Sequence, residues 1–181
     1  MKKHSWKISF IIIGIFANWA FAQRDIFYET KMLAEWGKTS SQYELGLMYY
    51  KGQGTEQNYN EALKWFSLAA KKGFAKAQYY LGLIYYDGRG VSPNYGRAFY
   101  WFSNAAKQGH AGTQFSLGEM YFSGKGVAKN LITAYAWTSL AFDNGYDPAQ
   151  QNLKLLNKEM TAFELEKAVM EASKIRDSFN K

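Results

Sequence analysis

A 36-residue unit recurs along this chain without insertion or deletion. Leu45-Gly46, Leu81-Gly82 and Leu117-Gly118 stand 36 residues apart, and Trp65, Trp101 and Trp137 keep the same step. So do the glycine pairs Gly52/Gly54, Gly88/Gly90 and Gly124/Gly126. A fixed period of about 20–50 residues marks a stacked-repeat protein, in which each unit buries its apolar face against its neighbours. Stacks of this kind present extended surfaces, so the period points to binding before it points to catalysis.

Within residues 74–109 the pattern predicts two helices. Ala77, Leu81, Ile84 and Tyr85 recur at helical spacing and place the first helix over about 75–86. Gly82 sits in its middle, where glycine costs about 1 kcal/mol relative to alanine. The same weakness at Gly46 and Gly118 implies a close approach, most simply by the second helix of the same unit. The segment Asp87-Gly88-Arg89-Gly90-Val91 ends the helix, and Asn94, like Asn58 and Asn130, stands where an N-cap is needed. Ala98, Trp101, Phe102, Ala105 and Ala106 then form one continuous apolar helix face. Gly109 closes the unit in register with Gly37, Gly73 and Gly145.

The series Ala-x-x-x-Leu-Gly-x-x-Tyr, Gly-x-Gly-Val and Asn-Tyr-x-x-Ala-x-x-Trp-Phe-x-x-Ala-Ala-x-x-Gly resembles the Sel-1-like repeat. Residues 77–109 match nearly every marker and 41–73 almost as many. The third unit departs at Thr113, Leu131 and Phe142. The resemblance covers residues 37–145. It implies an all-α, right-handed α-solenoid of helix-turn-helix repeats, similar to tetratricopeptide repeats, with period 36. The expected organisation is a capping helix in 23–37, repeats over 38–73, 74–109 and 110–145, and C-terminal capping helices in 146–181. In that last segment Asp147-Pro148 is expected to open one helix with a cap and a first-turn proline. Thr161 to Glu164 reads as a capping box, with Met160 and Leu165 placed for a hydrophobic staple.

Residues 1–22 read as a cleaved signal peptide. Lys2, Lys3 and Lys7 precede an apolar stretch, and Ala20-Phe21-Ala22 gives the small-x-small pattern before a cut after Ala22. The stretch is shorter than the roughly 20 residues that span a membrane, so no integral segment is expected after cleavage. The expected location is periplasmic or secreted. Removing three lysines lowers the net charge from +7 to +4. The remaining lysines are scattered, apart from Lys71, Lys72 and Lys76, and do not form the dense basic stripe that nucleic-acid binding requires. The chain has no cysteine, so its fold must hold by packing alone.

Catalytic readings fail on specific absences. After the signal, His110 is the one remaining histidine, and with no cysteine a zinc site lacks ligands. His110 follows a helix-ending glycine, where it reads as a turn residue before it reads as part of a Ser-His-Asp arrangement. The Gly-x-Gly pairs follow helices and lack the rest of a dinucleotide or P-loop fingerprint, so they read as turns. Glu44, Glu56, Glu61, Asp87 and Glu119 do not recur at equivalent positions and read as solvated surface charge. No cofactor, metal site or catalytic residue is expected.

The resemblance to tetratricopeptide hairpins places the first helix of each unit on the concave face. The inward positions are then Tyr43, Tyr79 and Phe115, followed by Tyr50, Tyr86 and Phe122, with Lys51 and Asp87 beside them. Six aromatics at equivalent places can anchor an extended peptide or a partner helix. The alternative is that they fill the space between adjacent repeats. The expected function is a non-catalytic, exported adaptor for a protein or peptide partner. Two other readings remain: a cell-wall or β-lactam-binding or -hydrolysing enzyme, and an accessory of an envelope complex. Some disulfide-rich relatives of the Sel-1-like class are associated with β-lactams, but their cysteines are missing here.

Overall fold

The computed structural model describes residues 24–179; the expected signal segment and its cut after Ala22 lie outside the described residues. Within them the regular elements are all helices. A first helix, α1, covers 24–35. It is followed by α2 (Thr39–Lys51), α3 (Tyr59–Lys71), α4 (Ala75–Asp87), α5 (Tyr95–Ala106), α6 (Ala111–Ser123), α7 (Leu131–Asp143), α8 (Ala149–Glu159) and α9 (Ala162–Phe179). The described residues divide into two compact units, the first ending at Ala69 and the second beginning at Ala70.

The repeated sequence marks become repeated contacts. A methyl group at Gly46 would stand 2.7 Å from Cδ1 of Phe66, and one at Gly82 would stand closer still to Cδ1 and Cε1 of Phe102. The glycine therefore lets the second helix of each pair press a phenylalanine onto the first. Phe66 and Phe102 are 0% and 1% exposed. Burying such a ring contributes roughly 1.5–3 kcal/mol, which outweighs the helix cost of the glycine. Helices α2, α4 and α6 end where Gly52, Gly88 and Gly124 adopt φ of 71°, 73° and 74° and return their N–H to Met48, Ile84 and Met120 carbonyls. The asparagine caps form as read: Asn94 Oδ1 accepts from Arg97 N–H at 2.9 Å, and Asn130 and Asn58 accept from Thr133 and Glu61 N–H at 3.1 Å.

In the first unit, Phe27, Ala34, Leu45, Met48 and Trp65 form a core that Tyr49 partly covers. Met32 of α1 and Trp36, in the turn after it, are exposed. In the second unit, Ala98, Phe102, Leu117, Met120, Trp137, Leu140 and Ala172 pack together, and Ala134, Leu156, Met160 and Ala168 make a second cluster. Leu165 packs against that second cluster, consistent with the staple to Met160. The capping box closes reciprocally, Thr161 N–H donating to Glu164 Oε2 at 2.9 Å and Glu164 N–H to Thr161 Oγ1 at 3.3 Å.

Two local expectations change. Helix α8 opens without a side-chain cap; backbone bonds from Ala149 N–H to the Tyr146 carbonyl and from Gln150 N–H to the Asp147 carbonyl form the entry turn instead. The three tryptophans also differ. Trp65 and Trp137 are buried, the former donating Nε1–H to Glu61 at 3.1 Å, whereas Trp101 is only half-buried beside Tyr100. Truncating Trp101 should therefore cost less than the few kcal/mol expected at a buried tryptophan.

A recurrent glutamine ties the first helix of each repeat to the end of the helix before it. Gln42, Gln78 and Gln114, all buried, each donate Nε2–H to the carbonyl of Ala34, Ala70 and Ala106 at 3.2 Å. Gln108 and Asn144 complete the clamp in the second unit by donating at 2.8 Å to the oxygens of Gln78 and Gln114.

Candidate functional site

Helices α4 and α6 carry the sequence-predicted residues of the second unit, and each is half-buried apart from the exposed Asp87. Tyr79 and Tyr86 rest on Phe102 with ring centres 6.0 and 6.4 Å away. Tyr79 also stacks on His110 at 4.8 Å, and Phe115 on Tyr146 at 5.0 Å, equivalent pairs one period apart. Tyr86 meets Tyr95 edge-on at 5.2 Å. One side of these rings packs against Phe102 or a ring of the next repeat, and the rest stays accessible. Packing fixes their rotamers, which lowers the entropy lost when a partner binds.

Tyr86, Asp87 and Phe115, together with Leu83, Phe102, Ser116 and Glu119, enclose a depression of about 230 Å³. A smaller one of about 130 Å³ lies against Gly118, Glu119, Phe122, Thr138, Asn152, Leu155 and Leu156. Glu119 lines both. In the first unit, Tyr43 and Tyr50 lie against Phe66 at 5.9 and 6.2 Å, Tyr50 meets Tyr59 at 5.4 Å, and Lys51 is exposed.

Charge is distributed unevenly over the second unit. Asp87 is paired with Arg89, Nε to Oδ2 at 2.9 Å. Lys125 donates to the Tyr86 hydroxyl at 3.3 Å and stands 5.2 Å from its ring centre, while Lys129 stands 5.3 Å from that of Phe122. Glu119 is not the solvated surface acid its sequence setting suggests. It is half-buried, and burial pushes its carboxyl above the usual carboxylate range against the opposing effect of a hydrogen bond from Asn152 Nδ2. The signal was present in the sequence: after Leu-Gly the first two repeats continue with Leu47 and Leu83, and the third with Glu119. Thr138 was equally legible, replacing the phenylalanine that follows tryptophan at Phe66 and Phe102.

His110 is engaged in structure. Its Nδ1 accepts from the backbone N–H of Thr113 at 3.2 Å and faces the Thr113 hydroxyl at 2.6 Å, so it caps α6. Burial, with Lys76 nearby, lowers its pKa. Thr113 is wholly buried, which keeps that hydroxyl from any substrate. Among the described residues no group of three or more His, Cys, Asp or Glu side chains could hold a metal ion, and no helix is long and apolar enough to cross a membrane.

Comparison with known proteins agrees with this architecture. Residues 39–74, 75–110 and 111–146 each match the model of the Sel1 repeat, one residue beyond the divisions set by the glycine register. The crystal structure of a Sel1 repeat protein from Oxalobacter formigenes is similar at 38% identity and a TM-score of 0.65, over 72% of this chain and 98% of that one. A protective antigen present in uropathogenic Escherichia coli strains, displaying an SLR fold, is similar at 25% identity and a TM-score of 0.57. That match takes in 84% of this chain and 41% of the antigen. No curated protein matches the chain.

Proposed function

The chain belongs to the Sel1 repeat family, whose members are generally protein-interaction scaffolds of the α-solenoid class, and on that premise we propose that it is an exported adaptor that binds a protein or peptide segment on the face formed by α4 and α6. The observation that carries the reading is the half-buried aromatic set Tyr79, Tyr86, Phe115 and Phe122, each ring braced by packing and each still accessible. Aromatic anchors of this kind dominate interface energetics. Tyr43, Tyr50 and Lys51 supply the equivalent positions in the first unit. The engagement of His110 in a helix cap favours binding over hydrolysis. Export rests on the signal-like pattern of residues 1–22.

The test is in-cell crosslinking and affinity capture with tagged full-length protein, set against a Tyr86→Ala/Phe115→Ala variant whose helical content is checked by circular dichroism. One protein enriched by the native form and lost from the folded variant is the expected result. Equal enrichment by both forms would move the binding face elsewhere, and recovery of the protein solely from the cytoplasm would overturn export.

A further inference from the structure

The third repeat departs from the second at two positions that line one cavity. Where α4 carries Leu83, α6 carries Glu119, and where α5 carries Phe102, α7 carries Thr138. The glycine that receives the phenylalanine in the second repeat is retained as Gly118, but its neighbour is now the Thr138 hydroxyl. That hydroxyl donates to the Ala134 carbonyl at 2.7 Å, so it is satisfied within its own helix. The volume a ring would occupy is left as a partly open cavity of about 130 Å³, bordered by Phe122, Leu155 and Leu156.

We propose that this cavity is an anchor pocket for one lysine side chain of the partner, with its methylene stem against Phe122, Leu155 and Leu156 and its ammonium on Glu119. The partner's being a protein rests on the reading given above; the chemistry of the pocket stands apart from it. Size is the first argument. An apolar cavity of about 150 Å³ holds one benzene molecule, so this one takes a single side chain and no more. Charge is the second. Glu119 is the carboxylate of the cavity, its side chain is met by the neutral amide of Asn152, and among the described residues no cation forms an ion pair with it. A half-buried carboxylate of this kind gains most from an incoming cation.

Geometry then separates the two long cations. Asn152 Nδ2 donates to Oε1, so a fork on both oxygens would share Oε1 with that amide, whereas a point donor can use Oε2 alone. A guanidinium fork is best used on both oxygens at once, whereas an ammonium is a point donor satisfied by one. Lysine also places a long apolar stem behind its charge, matching a cavity whose lining is apolar except near Glu119, Asn152 and Thr138. The chain's own Lys129 is held on the ring of Phe122 and forms no ion pair with Glu119.

The probe is n-pentylamine, compared at pH 7 with 1-pentanol, a chain of the same length without the charge. Both are titrated into isotopically labelled full-length protein and followed by amide chemical shifts. The amine should bind roughly tenfold tighter or better, as expected for a hydrogen bond to a charged group, with shifts centred on Gly118, Glu119 and Thr138. Glu119→Gln should reduce the amine to the affinity of the alcohol. Thr138→Phe, which restores the residue of the other repeats, should abolish binding of both; Thr138→Leu serves if the phenylalanine variant does not fold. Equal affinity for amine and alcohol, or an amine preference that survives Glu119→Gln, overturns the pocket. Because the amine needs no partner, its failure leaves the adaptor reading untouched, whereas a failed capture with intact amine binding strikes the adaptor reading alone.

Discussion

The second and third repeats share a backbone register and differ in what fills it. In the second, Gly82 admits Phe102, the ring is buried, and Tyr79 and Tyr86 cover it. In the third, Gly118 is kept while Thr138 stands opposite, and a cavity with a carboxylate at its wall takes the place of the ring. The glycine thus fixes how closely two helices approach, and the residue facing it decides whether that closeness becomes core or pocket. A repeat protein can in this way gain a specific site at one position without disturbing the stacking that holds it together.

The sharpest way to break the comparison is to truncate both facing residues. Phe102→Ala should destabilise by about 3–5 kcal/mol, as removal of a fully buried ring does. Thr138→Ala removes a buried methyl group together with one hydroxyl and its hydrogen bond to Ala134, and should cost about 1–2 kcal/mol. Urea denaturation of the two variants checks this, and equal midpoints would mean that the two positions carry the same load. The glycines come next. Gly82→Ala forces a methyl group into a ring packed on all sides and should cost about 1–3 kcal/mol. Gly118→Ala also meets a tight contact, at the Thr138 hydroxyl and the Ala134 carbonyl, but it has an adjoining cavity to relax into. Its cost should be the smaller of the two.

Filling the cavity runs the comparison in reverse. Thr138→Phe rebuilds the second repeat's contact in the third and, as a cavity-filling change, should raise stability by about 0.5–2 kcal/mol. Loss of stability instead would mean that α8 sets the cavity too narrow for a ring, through Leu155 and Leu156.

Much of this was legible in the sequence because repetition multiplies weak signals. One mid-helix glycine is ambiguous, but three at a fixed step, each two helical turns before a glycine pair, required a close contact that Gly46 and Gly82 make with Phe66 and Phe102. The asparagine caps and the Thr161 capping box were equally local, and they formed as read. What repetition concealed was the exception. Taken alone, Glu119 reads as one surface acid among several and Thr138 carries no mark of its own; their importance lies in breaking the pattern together, on two different helices. The glutamine clamp went unread for another reason: its acceptor is a backbone carbonyl eight residues earlier, which carries no side-chain signature. Trp101 shows the opposite error, since equal register did not give it the burial of Trp65 and Trp137.

The smallest expected effect lies where the two repeats end. His110 stacks on Tyr79 as Tyr146 stacks on Phe115, but only the imidazole also accepts the Thr113 N–H through Nδ1, which requires its neutral form. Burial holds its pKa below the ordinary value of 6.5, so the unfolded chain takes up the proton first as pH falls. The stabilisation is therefore complete above about pH 6.5 and declines as pH drops through 6.5 toward the lowered folded value. Below that value both states are protonated and the decline ends. His110→Asn keeps a side-chain acceptor for the cap and removes the titration. Thermal midpoints measured from pH 8 to pH 5 should fall more steeply for the native chain than for this variant. Parallel slopes would show that the cap does not depend on the charge of His110, leaving the second and third repeats alike in how they respond to acid.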